Sequence, residues 1–315
     1  MKKTTISFFL AILLILSGCK EKVGEQKSYF FLFVNPLEEH PIWQKAEEGF
    51  LAACNDLDVY CESNGPAVID TKTMDEIALT GLVKGVDAVI TQGVISESTM
   101  YELQRANIPV IFVDSDLPKT NRLAIIKKSF DQQARILLED IIEKYQGQDL
   151  VIGIQVANLG FDIALDQIDS IKKVFQEYPG NFEIVSITES KSEMLYAKKE
   201  WETELAKHPN INVAINLGAE GAKECSDVVY NIGIRDNILI YGVDDMEDTI
   251  NNIRLGRIDG TIATSFFNYG YDSVKIAFDY LKDNKTPPKT EIDAIITLVD
   301  INNVDTYQQD LQRKK

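Results

Sequence analysis

Histidine is nearly absent, with only His40 and His208 in 315 residues, and this excludes a histidine-rich metal centre. Cysteine is sparse too, and none of Cys19, Cys54, Cys61 and Cys225 has the spacing of a metal site. Basic charge is in deficit: 32 Lys and Arg face 49 Asp and Glu, a formal charge of −17. No nucleic-acid partner is therefore expected. The chain lacks G-x-S-x-G, H-E-x-x-H, P-loop and G-x-G-x-x-G motifs, so a nucleophile, a catalytic metal and a nucleotide cofactor all go without a signature. Paired carboxylates for glycoside hydrolysis are conceivable among so many acids, but no spacing singles out a pair. The expectation is a binding protein with no cofactor, not an enzyme. With 18 Gly and 9 Pro there is no low-complexity tract, and the length suits about two domains.

The one long apolar run lies at the start. Lys2 and Lys3 precede Ile6 to Leu16, followed by Leu16-Ser17-Gly18-Cys19. Eleven residues rise about 16 Å as a helix, half of a bilayer core of about 30 Å, so this is an export signal rather than a span. Leu-Ser-Gly-Cys resembles the lipobox of bacterial lipoproteins, which makes Cys19 the expected lipid-bearing residue and the protein membrane-anchored on the extracytoplasmic face. Residues 1–18 are then the signal peptide and 19–27, polar but for Val23, a tether. Cys54 and Cys61 fall on a helix and the next strand, close enough to pair in principle. Buried free thiols are the expectation, because three cysteines beyond Cys19 cannot all pair within one chain.

From Tyr29 onward, short apolar runs alternate with segments of helical period. The runs Tyr29–Val34, Val59–Glu62, Ala88–Ile90 and Val110–Val113 alternate with helices over Ile42–Ala53, Met74–Lys84 and Ser96–Ala106, the second introduced by a capping box at Thr73 to Glu76. A second series runs from the helix Ser129–Lys144 through strands Val151–Val156, Phe182–Ile187, Val213–Ile215, Leu239–Val243, Ile258–Ser265 and Ile292–Val299, with helices at Phe161–Tyr178, Ser192–Lys207 and Tyr269–Asn284. Continuous apolar strands are buried on both faces, which predicts two parallel sheets with helices on either side.

Ligands of such sheets lie beyond the carboxyl ends of the strands. The residues there are Asn35, Gln92, Asp114, Asn158, Asn216 and Asp244, all amides or carboxylates. Each alone fits a turn or helix cap. Six on two converging rims point instead to a polyhydroxylated ligand, whose neighbouring hydroxyls match such two-pronged groups. Trp43, at the head of a helix, either offers a flat face to a sugar or leads the core stripe Trp43, Ala46, Phe50. His40 is either a ligand donor or simply exposed. Trp201 belongs to the core.

Four stretches together, Leu82–Ile90, Ala106–Asp116, Gly256–Ala263 with Tyr269-Gly270, and Ile301–Tyr307, resemble the ribose/galactose-type periplasmic binding proteins in register from about Ser28 to Tyr307. The resemblance implies two similar doubly wound parallel-sheet lobes joined by a three-strand hinge, closing on one small ligand. The first lobe is expected over 28–128 plus 266–290, the second over 129–265 plus 291–315, with crossings near Lys127–Phe130, Thr264–Phe267 and Lys289–Asp293. It implies ligand contacts at His40, Trp43, Asp114, Asn216 and Asp244; Gln92, Asn158, Phe161 and Thr264 join them as rim candidates. Asp131, in a capping box at Ser129 to Gln132, is a further candidate because this segment enters the second lobe. Ser115 stands where ribose-type relatives carry arginine, and the arginine expected near Leu165–Gln167 is missing, which puts ribose itself in doubt. The implied partner is an ABC permease, the alternative a membrane histidine kinase to which the protein reports ligand, and the least favoured outcome an anchored hydrolase. The family core also occurs in lac-type repressors, but no helix-turn-helix precedes it here.

Overall fold

The computed structural model describes residues 29–307. The expected signal peptide, the expected tether and Cys19 lie outside the described residues. The chain builds two six-stranded sheets. The first contains β1 (Phe30–Val34), β2 (Tyr60–Asn64), β3 (Ala88–Thr91), β4 (Val110–Val113) and β5 (Ala124–Lys127), and is completed by β11 (Glu291–Asp293) in the order β11-β5-β4-β3-β1-β2. The second contains β6 (Leu150–Val156), β7 (Phe182–Glu189), β8 (Val213–Asn216), β9 (Leu239–Val243) and β10 (Gly260–Thr264), completed by β12 (Ile296–Val299) in the order β12-β10-β9-β8-β6-β7. The two orders superpose strand for strand. Pairing is parallel throughout the first sheet, while in the second β12 runs antiparallel to β10.

Both faces of each sheet are covered, as the continuous apolar strands require. In the first, Phe31, Phe33, Ile90, Ile111 and Ile126 point to α1 (Pro41–Leu57) and α9 (Phe266–Asp283), while Leu32, Val34, Val89 and Phe112 point to α2 (Thr71–Lys84) and α3 (Glu97–Arg105). In the second, Ile152, Ile154, Ile215 and Val243 meet α4 (Phe130–Tyr145) and α5 (Asp162–Val174). Ala214, Ile240 and Ala263 meet α6 (Met194–Lys207), α7 (Gly221–Asn231) and α8 (Glu247–Arg254).

Helix α9 returns from the second lobe to pack along α1, and two glycines set how closely. A Cβ on Gly49 would stand 1.9 Å from the Phe267 carbonyl oxygen, and one on Gly270 would stand 1.9 Å from that of Ala46. Only hydrogen at these positions lets the two backbones touch.

Several sequence expectations are corrected here. Cys54 and Cys61 are joined in a disulfide across a Cα separation of 6.3 Å, not free, because the turn at Asp58 brings the end of α1 beside β2; Cys225 is free and buried. Glu291–Asp293 pair with Ile125–Lys127, so the segment read as one strand from Ile292 is two strands in different sheets. The third crossing is therefore Ala294-Ile295, not the expected Lys289–Asp293. Strand β5 and helices α7 and α8 are additional elements. The cap of α2 is Asp70, whose side chain accepts from the Lys72 amide at 3.0 Å, while Thr73 lies inside the helix.

Candidate functional site

The carboxyl ends of both sheets face each other across one cavity of about 120 Å³. Its walls come from both lobes and include His40, Trp43, Gln92, Asp114, Asn158, Phe161 and Asp244. Seven of the eleven residues offered as ligand contacts are thus brought together.

Asp114 and Asp244 occupy matching places. Each follows the fourth strand of its sheet, each has a left-handed backbone (φ 66° and 65°), and each donates its amide across to the next strand, to Ile126 O and Ile262 O, both at 2.8 Å. This conformation is uncommon for non-glycine residues, and Asp is among those that tolerate it. The kink turns both side chains toward the other lobe. Both are nearly buried, at 7% exposure. Gln92 donates to Asp114 Oδ2 at 2.9 Å, which orients that carboxylate.

Between them stands Lys128, immediately after β5 and before the cap of α4. Its Nζ is 3.4 Å from Asp244 Oδ1 and 3.7 Å from Asp114 Oδ1, and lies 5.7 Å from the Phe266 ring centre. Burial opposes the ammonium charge, but the two carboxylates outweigh it and raise its pKa. Burial pushes the Asp244 carboxyl up to about 6, with Lys128 resisting and Asp114 and Asp245 adding to the rise. Tyr269, also buried, is raised well above the usual phenol range by desolvation, with the same two aspartates contributing.

His40 caps α1: its Nδ1 accepts from the Ile42 amide at 3.3 Å, and burial lowers its pKa. With Nδ1 accepting, the neutral ring carries its proton on Nε2. Trp43 does both things the sequence allows, lining the cavity while packing edge-on against Phe266 with centroids 5.3 Å apart. From the second lobe, Asn158 folds its Oδ1 onto the Gly160 amide at 2.8 Å, and Phe161 is the cap residue of α5.

Four candidates lie elsewhere, the first of them Asn35, which is fully buried at the turn after β1. Asn216 is still within β8 and points into the second lobe's core, accepting from Trp201 Nε1 at 2.8 Å and donating to Tyr241 O at 3.0 Å; the residue facing the cavity is Leu217. One step along a strand reverses the side chain's direction. Asp131 is half-exposed on the first turn of α4, paired with Lys173 on α5, and does not line the cavity. Thr264 ends β10 and is buried in the second crossing, away from the cavity walls.

Lys128, Gln167, Ser192, Glu220 and Phe266 line the cavity without having been singled out. Glu220 accepts a hydrogen bond from the Ser190 hydroxyl; burial raises its pKa and that bond lowers it less. The signal for Lys128 was the pair Lys127-Lys128 after a short apolar run, at a point where one βαβ series gives way to the other. Among the described residues no group of acidic, cysteine and histidine side chains could hold a metal ion, and no helix is long and apolar enough to cross a membrane.

Two similar lobes closing polar strand ends around a small cavity define a two-lobed binding-protein fold. Residues 31–286 match the family described as "Periplasmic binding protein domain", and the chain belongs to that family. No curated protein matches. Solved structures that share the fold include GanP, a glucose-galactose binding protein from Geobacillus stearothermophilus, at 23% identity and a TM-score of 0.82, covering 89% of this chain and 100% of that one. An ABC transporter solute binding protein from Burkholderia graminis, in complex with D-arabinose, is 21% identical with a TM-score of 0.83 over 89% of this chain and 97% of its own. A chain of the XylFII-LytSN complex is 20% identical with a TM-score of 0.79 over 87% of this chain and 98% of its own.

Proposed function

We propose that this protein captures a sugar or sugar-like polyhydroxylated molecule between its lobes and delivers it to an ABC permease, from the outer face of the membrane, where a lipid on Cys19 tethers it. The observation that carries this is the pair of matched aspartates, one from each lobe, facing a cavity of about 120 Å³. Carboxylates accept from ligand hydroxyls, Lys128 and Gln92 donate to them, and Trp43, Phe161 and Phe266 offer apolar faces. A ligand touching both lobes favours the closed arrangement by its differential affinity for it.

A sensor role is the second reading, favoured by the likeness to the chain in the XylFII-LytSN complex. A neighbouring permease or kinase gene separates the two.

The test is a thermal-shift screen of monosaccharides and polyols, followed by small-angle scattering. A sugar at about 100 times its dissociation constant should stabilise the protein by roughly 2.7 kcal/mol and reduce the radius of gyration. A bound sugar with an unchanged scattering profile would count against both the transporter and the sensor roles. Anchoring has its own test: wild-type cells should incorporate radiolabelled palmitate into the protein and the Cys19→Ala variant should not, and label persisting in the variant would exclude Cys19 as the acceptor.

A further inference from the structure

Among the described residues lining the cavity, Lys128 is the one lysine or arginine, facing Asp114 and Asp244, with Glu220 also on the walls. It belongs to the first crossing between lobes, so its backbone stays near both strand ends whichever way the lobes move. Its side chain is 4% exposed, and its ion-pair partners are the two aspartates, one from each lobe. Bringing two carboxylates together in a site closed to water is costly unless a cation lies between them. Nζ is in ion-pair range of both, yet at 3.4 and 3.7 Å it is too far for a strong bond to either. One oxygen of Asp114, Oδ1, is buried without a hydrogen bond among the described residues. The arrangement balances charge more than it builds a tight pair, and leaves hydrogen-bonding capacity for a guest.

We propose that Lys128 is the counter-ion for lobe closure: it neutralises the two matched aspartates as the lobes come together, so that they can converge on a neutral polyol. This rests on the binding-protein reading above. It makes Lys128 a positioning residue for the aspartates as well as a donor to ligand.

The other titratable groups around the three are accounted for. Asp245, next to Asp244, is paired with Lys45 of α1 at 2.8 Å and accepts from the Tyr307 hydroxyl at 3.0 Å. Tyr269 on α9 keeps its phenol proton, and His40 on α1 is held toward its neutral form by burial. Glu220, from the loop before α7, lies across the cavity with its carboxyl shifted toward the protonated form. None of these supplies a second cation to the aspartates.

The experiment measures lobe separation by paired spin labels on Tyr101→Cys and Tyr230→Cys, both exposed, one per lobe, without sugar and with a mixture of D-glucose, D-galactose, D-xylose, L-arabinose and D-ribose. At pH 7.5, Lys128→Met should lower the closed-to-open ratio about tenfold or more, and Lys128→Arg should keep it within about threefold of wild type. Acidifying Lys128→Met to pH 5 should restore closure, since without the ammonium group one carboxyl protonates more readily and can donate to the other. Closure by Lys128→Met at pH 7.5 equal to wild type would overturn the proposal. So would a loss of closure that pH 5 does not recover, or an equal loss in Lys128→Arg, since either marks an effect of shape. A wild-type protein that stays open in every sample would overturn the binding-protein reading and this proposal together, whereas failures confined to the variants would overturn this proposal alone.

Discussion

Asp114→Ala should lower affinity for the best sugar of the thermal-shift screen at least tenfold while leaving the melting temperature without sugar nearly unchanged. The carboxylate accepts from Gln92 at 2.9 Å and faces Lys128, so truncation leaves ligand hydroxyls, an amide and an ammonium group without their acceptor in a closed cavity. Each such loss costs about 1 to 3 kcal/mol, more where the partner is charged. Calorimetric titration measures it, with Asp131→Ala as the control that should bind like wild type, because Asp131 pairs with Lys173 outside the cavity. Unchanged affinity in a folded Asp114→Ala protein would remove this residue from the site.

Trp201→Ala should do the opposite, lowering stability by about 3 to 5 kcal/mol, equivalent to roughly 10 °C in melting temperature, without weakening sugar binding in the folded fraction. The indole is 2% exposed among Leu205, Ile211, Ala214 and Val228, and a Cβ on Gly153 would lie 3.0 Å from its ring. Its N–H bonds Asn216 Oδ1. Asn216→Ala should therefore behave as a stability variant as well, leaving a buried indole N–H without its acceptor. A selective loss of affinity in Asn216→Ala, with the melting temperature intact, would contradict the placement of this side chain in the core.

Asn216 also marks where sequence reasoning reached its limit. Apolar runs show where strands lie, because burial on both faces leaves a continuous signature, and so both sheets and four of the six rim residues were legible. Which residue first faces the cleft depends on the last strand residue, and end positions shift by one or two. A shift of one leaves Asp114 and Asp244 in place but turns Asn216 inward and puts Leu217 on the cavity wall. Asn35 is another such case: it is fully buried, and its Oδ1 accepts from the Leu37 amide at 3.0 Å as a turn cap. Strand β5 is as long as β3 but runs straight into Lys127-Lys128 with no turn residue to mark its end; α8 is only eight residues long, and α7 buries mostly small residues, Gly221, Ala222, Cys225 and Ser226, in place of a large apolar stripe. The disulfide depended on the backbone path through Asp58, which adopts φ 52°, and spacing alone does not reveal that path. Lys128 escaped notice because a charged residue after a strand is ordinarily solvated; only the meeting of two strand ends makes this one buried.

The three crossings have a consequence for the order in which the chain can mature. Helix α9 and strand β11 complete the first lobe, yet they follow the whole of the second lobe's parallel series in the polypeptide. A nascent chain ending at Thr264 holds five of the first sheet's six strands, with the face carrying Phe33, Phe50 and Val113 still uncovered by Phe266, Tyr269 and Val274. The amino-terminal lobe, made first, is thus finished late, and its exposed apolar face must wait through the synthesis of more than a hundred residues for its cover. No single cut in the chain yields either lobe whole.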